Sequence, residues 1–270
     1  MIRRGADYLA RHDVDSPLAS AEQLMMLVLG TDRAGAYART DGLRAAEAKA
    51  FGRALCRRCT GTPLQHLTGV AGFRGLDLVV RRGVFVPRPE TEVLVGVALE
   101  MIEGVDRPVV VDVGTGSGAI ALAIKHERPD AVVHATDTSP EAVDLARENA
   151  ERLELDVDVV QGGLLEPLPP SVRPDLVASN PPYVPLAEEA ALPLDVLAEP
   201  REAVFGHAEV YSELFEQAAY RLSIGGRVAV EIHEDAAAEL SRLVGDAGFV
   251  DVRVTQDLAW RDRVLGARRP

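Results

Sequence analysis

The stretch 109-VVVDVGTGSGAIALAI-124 passes from strand to helix through three glycines. Residues 109–113 are apolar and β-branched apart from Asp112, as befits a strand buried on both faces. Gly114, Gly116 and Gly118, with Thr115 and Ser117 between them, permit a tight turn and a close backbone approach to a ligand. The apolar residues that follow open a helix, whose first turn offers unpaired N–H groups and the positive end of a dipole. Such a turn has a plain structural use, packing a helix on a sheet, so its surroundings decide the reading.

Outward from this stretch, apolar runs recur at 131-AVVHAT-136, 157-VDVV-160, 175-DLVAS-179, 227-RVAVEI-232 and 250-VDVRVT-255, with 262-DRVLGARR-269 as a further strand. Helical patterns such as 140-PEAVDLARENAERL-153 and 235-DAAAELSRLVGDAG-248 lie between them. Strands alternating with helices define a parallel α/β sheet. The second strand ends at Asp137, 23 residues beyond Gly114. A carboxylate there accepts hydrogen bonds from two ribose hydroxyls, so strand, turn, helix and acid in this order predict nucleoside binding. The spacing is G-x-G-x-G, distinct from the dinucleotide G-x-G-x-x-G. Asp112 has a simpler use, bonding the amides of the turn it precedes.

The fourth strand of this pattern ends in 179-SNPPY-183. Two prolines cannot continue a ladder, so the corner is stiff and presents the Asn180 amide and the Tyr183 ring. In an open parallel sheet, ligands sit at the carboxyl ends of strands where strand order reverses, which sets this corner beside the glycine turn. These residue types suit methyl transfer to a planar nitrogen. The Asn180 side-chain carbonyl and the Pro181 backbone carbonyl accept that nitrogen's two hydrogens, and Tyr183 walls the planar group. A sulfonium donor, S-adenosylmethionine, needs no enzyme nucleophile, and catalysis is then chiefly positioning.

The first 60 residues lack strand alternation and read as helices. Pro17 after Ser16 starts one and Gly30 stops it. Residues 43–59 form a second, with Leu43, Ala46, Ala50, Phe51, Ala54 and Leu55 on one side. The runs 76-LDLVV-80 and 84-VFV-86 around Arg81-Arg82-Gly83 predict a β-hairpin. Cys56 and Cys59 are spaced C-x-x-C without a second ligand pair, and they read as ordinary thiols; no metal is expected.

Of 270 residues, 47% are apolar and 26% charged, and the net charge is -13. Residues 1–75 hold 11 Lys/Arg against 7 Asp/Glu, and the remainder 18 against 35. An acidic body of this kind disfavours naked nucleic acid, whose binding rests on phosphate neutralisation. No run approaches the ~20 apolar residues that span a bilayer, and the N-terminus has no apolar signal-peptide core. A cytoplasmic protein with a protein partner is expected.

These motifs together resemble one family, the HemK/PrmC-type release-factor glutamine methyltransferases. The resemblance rests on 63-PLQHLTG-69, 84-VFVPRPETE-92, 111-VDVGTGSGAIALAI-124, 137-DTSPEAVDLARENA-150, 179-SNPPY-183, 199-EP-200 and 257-DLAWRDRVLGARR-269. It implies a helical partner-recognition domain over 1–75, a β-hairpin linker over 76–88, and a Rossmann-like class I methyltransferase domain over 89–270 with a mostly parallel seven-stranded sheet. It implies S-adenosylmethionine as cofactor. The reaction it implies is methylation of the glutamine amide in the Gly-Gly-Gln motif of peptide chain release factors. By motif position, Gly114, Thr115, Gly116, Ser117 and Gly118 line the methionine part of the cofactor, Asp137 binds ribose, and Leu164 flanks adenine. Asn180, Pro181, Pro182 and Tyr183 hold the glutamine, and Phe85, Arg88, Thr91 and Glu92 shape the pocket above it. The chain departs from the family at 162-GGLLEPL-168, where an acid and an aromatic are usual, at His233 and Trp260, where glycine is usual, and across 200–214. The alternatives are a paralogue acting on another amide or amine, an adenine-amino methyltransferase, and a binding protein that keeps the fold without the activity.

Overall fold

The computed structural model describes residues 1–270 and divides them into two compact units, residues 1–70 with 190–199, and residues 71–189 with 200–270. In the first unit, helices Ile2–Ala10, Pro17–Leu29, Arg33–Ala38, Ala45–Cys59 and Leu64–Thr68 enclose a core of Ile2, Leu9, Leu24, Met25, Phe51 and Leu55. The predicted face of Ala45–Cys59 is buried at Phe51 and Leu55, with Leu43 and Ala54 packed beside them, and departs from expectation at Ala46. Ala46 is exposed and Glu47 is buried, because its carboxylate accepts from the Arg44 N–H at 2.8 Å and from the Arg44 and Arg39 guanidiniums. Ser16 precedes Pro17 as expected, but its side chain caps nothing, since its own backbone is left-handed at φ 49°. Arg58, 8% exposed, pairs with Asp195 at 3.1 Å and so ties the 190–199 segment into this unit. Cys56 and Cys59 are free thiols.

The second unit opens with a hairpin that differs from the predicted one. Strands β1 (Val70–Phe73) and β2 (Leu76–Val79) pair across Arg74-Gly75, whose φ values are 45° and 78°. Two left-handed residues in a two-residue loop match the twist of the flanking strands. Residues 84–86 form no strand: Gly83 (φ 90°) closes a turn, and Pro87 follows without an N–H to donate.

The large sheet contains β3 (Val109–Val113), β4 (Val132–Asp137), β5 (Val157–Gln161), β6 (Leu176–Ser179), β7 (Arg227–Glu231), β8 (Val250–Gln256) and β9 (Asp262–Arg268) in the order β5-β4-β3-β6-β7-β9-β8. β9 runs antiparallel to both neighbours and the other ladders are parallel. Side chains alternate across β3. Val110 joins the core under helices Thr91–Met101, Ala119–Glu127 and Pro140–Arg152, while Val111 and Val113 join the opposite core under Ala208–Arg221 and Ala237–Asp246. The chain moves from β3 outward to β5, then returns to β6 on the other side of β3. The carboxyl ends of β3 and β6 therefore flank the crevice where connections diverge. No helix is long and apolar enough to cross a membrane.

Candidate active site

A cavity of about 350 Å³ occupies that crevice. It is lined by Gly114 to Ser117 from the β3 turn, Asp137 from β4, Leu164 from beyond β5, Asn180 to Pro182 from the β6 corner, and Phe85 and Thr91. Of the residues singled out in the sequence, Gly118, Tyr183, Arg88 and Glu92 do not line it. Gly118 caps the following helix at φ 87°, where a Cβ would fall 2.9 Å from Leu122. Arg88 lies over the Phe85 ring, 5.0 Å from its centre. The Glu92 carboxylate accepts from the Arg74 N–H at 3.0 Å. Tyr183 stands behind the corner, its hydroxyl donating to Glu231 Oε1 at 3.0 Å.

The turn after β3 is organised by two acids. Asp112, wholly buried, accepts from Thr115 Oγ1 at 2.6 Å and from the Ala121 N–H at 3.1 Å. Burial pushes its carboxyl up to about 7, against the pull of those two donors. Asp137 accepts from the Gly116 N–H and the Ser139 N–H, each at 2.9 Å, through different oxygens. Each oxygen keeps a further lone pair for a ligand hydroxyl. Burial raises the Asp137 carboxyl too, opposed by these amides.

The fit of a nucleoside sulfonium is tested by the turn itself. Gly114 and Gly116 have φ values of 71° and 56°, and a Cβ on either would meet nothing within 4 Å. The backbone is thus bare toward the cavity at the two places where a ligand must touch it. Leu164 lines the same cavity in a left-handed conformation, φ 48°, held by Thr136 Oγ1 donating to its carbonyl at 2.7 Å. An apolar surface beyond the Asp137 carboxylate matches a base next to a ribose. The residues present fit the group.

The β6 corner is braced from three sides. Ser179 Oγ donates to the Val113 carbonyl at 2.8 Å, tying the tips of β6 and β3 together. Val184 forms a parallel bridge to Phe205, with the Val184 N–H donating to Val204 and the Gly206 N–H to Val184. Asn180 Nδ2 donates to Thr91 Oγ1 at 3.2 Å. That contact leaves the other end of the amide, Oδ1, without a partner inside the corner.

Two supporting residues were not foreseen. Asn149, wholly buried, donates to the carbonyls of Val79 and Ser117 at 3.0 and 2.9 Å and accepts from the Val79 N–H at 2.8 Å. It joins the hairpin to the glycine turn. An Asn inside an amphipathic helix looks like a surface residue, and only the motif 137–150 hinted otherwise. Glu231, 1% exposed, receives the Tyr183 hydroxyl; its sequence signal was an acid ending an otherwise apolar strand.

A seven-stranded sheet with β9 inserted antiparallel, a glycine turn at the switch point and an Asn-Pro-Pro-Tyr corner beside it define a class I methyltransferase. Residues 90–250 match the methyltransferase small domain family, and residues 1–69 match the PrmC N-terminal domain. The sequence is 40% identical to the release factor glutamine methyltransferase of Moorella thermoacetica over 97% of this chain and 94% of that protein. It is 40% identical to the enzyme of the same name from Deinococcus radiodurans, over 100% and 97%. The chain belongs to the release factor glutamine methyltransferase family. Among solved structures, the fold is similar to the 16S rRNA N2 G1207 methyltransferase of T. thermophilus in complex with AdoMet and guanosine, with a TM-score of 0.57 and 21% identity over 74% of this chain and 50% of that one. A methyltransferase from Pyrococcus furiosus has a TM-score of 0.54 and 21% identity, over 72% and 89%.

Proposed function

We propose that this chain methylates the side-chain amide nitrogen of the glutamine in the Gly-Gly-Gln motif of peptide chain release factors. S-adenosylmethionine, when bound, supplies a methyl group on a sulfonium. The glycine-turn amides and Asp137 hold the donor, with Asp137 on the ribose and Leu164 against the adenine. The observation that carries the reading is the Asn180 amide, anchored through Nδ2 at the tip of β6 with its carbonyl left over, beside the glycine turn at the tip of β3. Oδ1 of Asn180 and the Pro181 carbonyl accept the two hydrogens of the incoming carboxamide. That pins a nitrogen whose lone pair is delocalised, and aims it along one line. Phe85, steadied by Arg88, walls the substrate side, and the Pro182 ring excludes water from the corner.

The full-length relatives named for release factors support that substrate, as does the match of residues 1–69 to the PrmC N-terminal domain. Residues 1–75 are then the partner-recognition part. Mass spectrometry of a release factor after reaction tests the proposal: the Gly-Gly-Gln glutamine gains one CH2. Label appearing on nucleic acid and not on release factor would overturn it in favour of an adenine-amino methyltransferase. Asn180→Ala is expected to lower turnover by about 2–4 kcal/mol of barrier while cofactor affinity holds. Equal losses in both would remove Asn180 as the substrate holder.

A further inference from the structure

Two of the residues that line the cavity are charged, Asp137 and Glu202, and both are acids; no lysine, arginine or histidine is among them. Asp137 is engaged by the Gly116 and Ser139 N–H groups. Glu202 has no such partner. It lies half-buried on the short helix Arg201–Val204, inside the 200–214 stretch where this chain departs from its family, and its carboxylate makes no hydrogen bond or ion pair within the protein. Its neighbour Arg201 does not neutralise it, because that guanidinium pairs with Glu189 and lies over the Phe205 ring, 4.9 Å from its centre. The two acids reach the cavity from opposite sides. Asp137 ends β4, the corner follows β6, and β3 with its glycine turn lies between them. The Arg201–Val204 helix is fastened to the corner: the Val184 N–H donates to the Val204 carbonyl at 3.1 Å, and Val184 bridges to Phe205. Glu202 therefore belongs to the side where a substrate amide meets Asn180, and Asp137 to the side where the donor's ribose lies.

A carboxylate on a cavity wall without a counter-ion lacks the partner that would offset its partial desolvation, and it can only accept. A cation or an N–H brought by the ligand supplies that partner. In Gly-Gly-Gln the two residues before the glutamine have no side chain, so the nearest side chain that Glu202 can meet is that of the residue after it. We propose that Glu202 is a specificity-determining residue, which selects a positively charged side chain at the position following the target glutamine. The cavity wall withdraws the pair partly from water, and so strengthens its attraction over that of an open surface pair. An acidic side chain at the same position is repelled for the same reason. The inference rests on the amide-methylation reading and adds to it a sequence preference beside the glutamine.

The test uses a release factor prepared in three forms, with Lys, Gln or Glu after the Gly-Gly-Gln glutamine. With the wild-type enzyme, kcat/KM is expected to fall about tenfold from the Lys form to the Gln form, and about tenfold again to the Glu form. High salt should narrow that spread. Glu202→Gln should bring the three forms within about threefold of one another, and Glu202→Lys should reverse their order. S-adenosylmethionine affinity by calorimetry should stay within about threefold in both variants, because the donor is held from the Asp137 side. If Glu202 only supports its helix, the variants slow all three substrates alike and the ranking survives, which overturns the proposal. A wild-type enzyme that does not rank the three forms overturns it too, and this arm stands by itself should either variant fail to fold. A larger loss of S-adenosylmethionine affinity in Glu202→Gln also overturns it, since the carboxylate then serves the donor. A wild-type enzyme that leaves the unaltered release factor unmethylated overturns the reading beneath it as well.

Discussion

A Cβ on Gly206 would fall 1.8 Å from the Pro182 carbonyl oxygen, so this glycine is required by close approach and not by its φ. Gly206→Ala must push the 180–184 corner outward. A shift of about 1 Å at a reacting group costs on the order of 100-fold in rate, so turnover with release factor should fall by that much while calorimetric cofactor binding persists. Asp112 gives a pH signature. Its carboxyl is raised to about 7 in the fold against an ordinary value of 3.8, so the folded state holds the proton more tightly. The contribution of Asp112 to stability is greatest below about pH 4, declines as pH rises towards 7, and then levels. In denaturant titrations at several pH values, the stability difference between wild type and Asp112→Asn should shift against the wild type as pH rises from about 4 to 7. That Gly114, Gly116, Asp137 and Asn180 line one cavity was legible in the sequence, because each sits at or just beyond a strand end. The support from Asn149, Gly206 and Glu231 was not. A contact across 70 residues, such as Asn149 to Val79, leaves no local periodicity to read.

At the level of elements, the sheet strands were legible nearly to the residue, β3, β6 and β7 as apolar runs buried on both faces and β8, largely exposed, by its recurring valines. The hairpin was not. Both 76–80 and 84–86 are apolar, and what selected the earlier pairing was an Arg74-Gly75 loop whose first residue carries a side chain at positive φ. Asn149 holds that hairpin to the glycine turn, so Asn149→Ala leaves two carbonyls and an N–H buried and unpaired. A loss of about 3 kcal/mol in unfolding free energy is expected, together with weaker cofactor binding because Ser117 is released. The β8–β9 connection is tightly tied: the Asp257 carboxylate accepts from the N–H groups of Ala259 and Arg261 at 2.8 and 3.1 Å, and Trp260 sits at φ 63°. Trp260→Gly, the residue usual in the family, should stabilise by about 0.5–1 kcal/mol, since relief of left-handed crowding outweighs the entropy glycine adds to the unfolded chain. Thermal melts would read this, and an unchanged or lower midpoint would contradict it. In the helical unit, Arg44 and then Arg39 hold the Glu47 carboxyl down at about 2. Its contribution is complete above the ordinary carboxylate range near pH 4.5 and is lost as pH falls towards 2. Helix-sensitive dichroism should show that acid limb blunted in Glu47→Gln.

Over the whole molecule, charge is uneven, with 18 Lys/Arg against 35 Asp/Glu beyond residue 75. A net charge of that sign disfavours binding to phosphate backbones. Added DNA or RNA should therefore fail to compete with release factor in the methylation assay, even at low salt, where a nucleic-acid enzyme would be most inhibited. The strand order carries one more consequence. β9 is the ninth strand in chain order, yet it lies between β7 and β8 and is the sole partner of β8. During synthesis the emerging chain can lay down β3 to β7 as each is extruded, but β8 has nowhere to dock until β9 arrives to fill the slot. A nascent chain therefore carries an open edge at β7 until β9 has left the ribosome, and β7, β8 and β9 complete the sheet together.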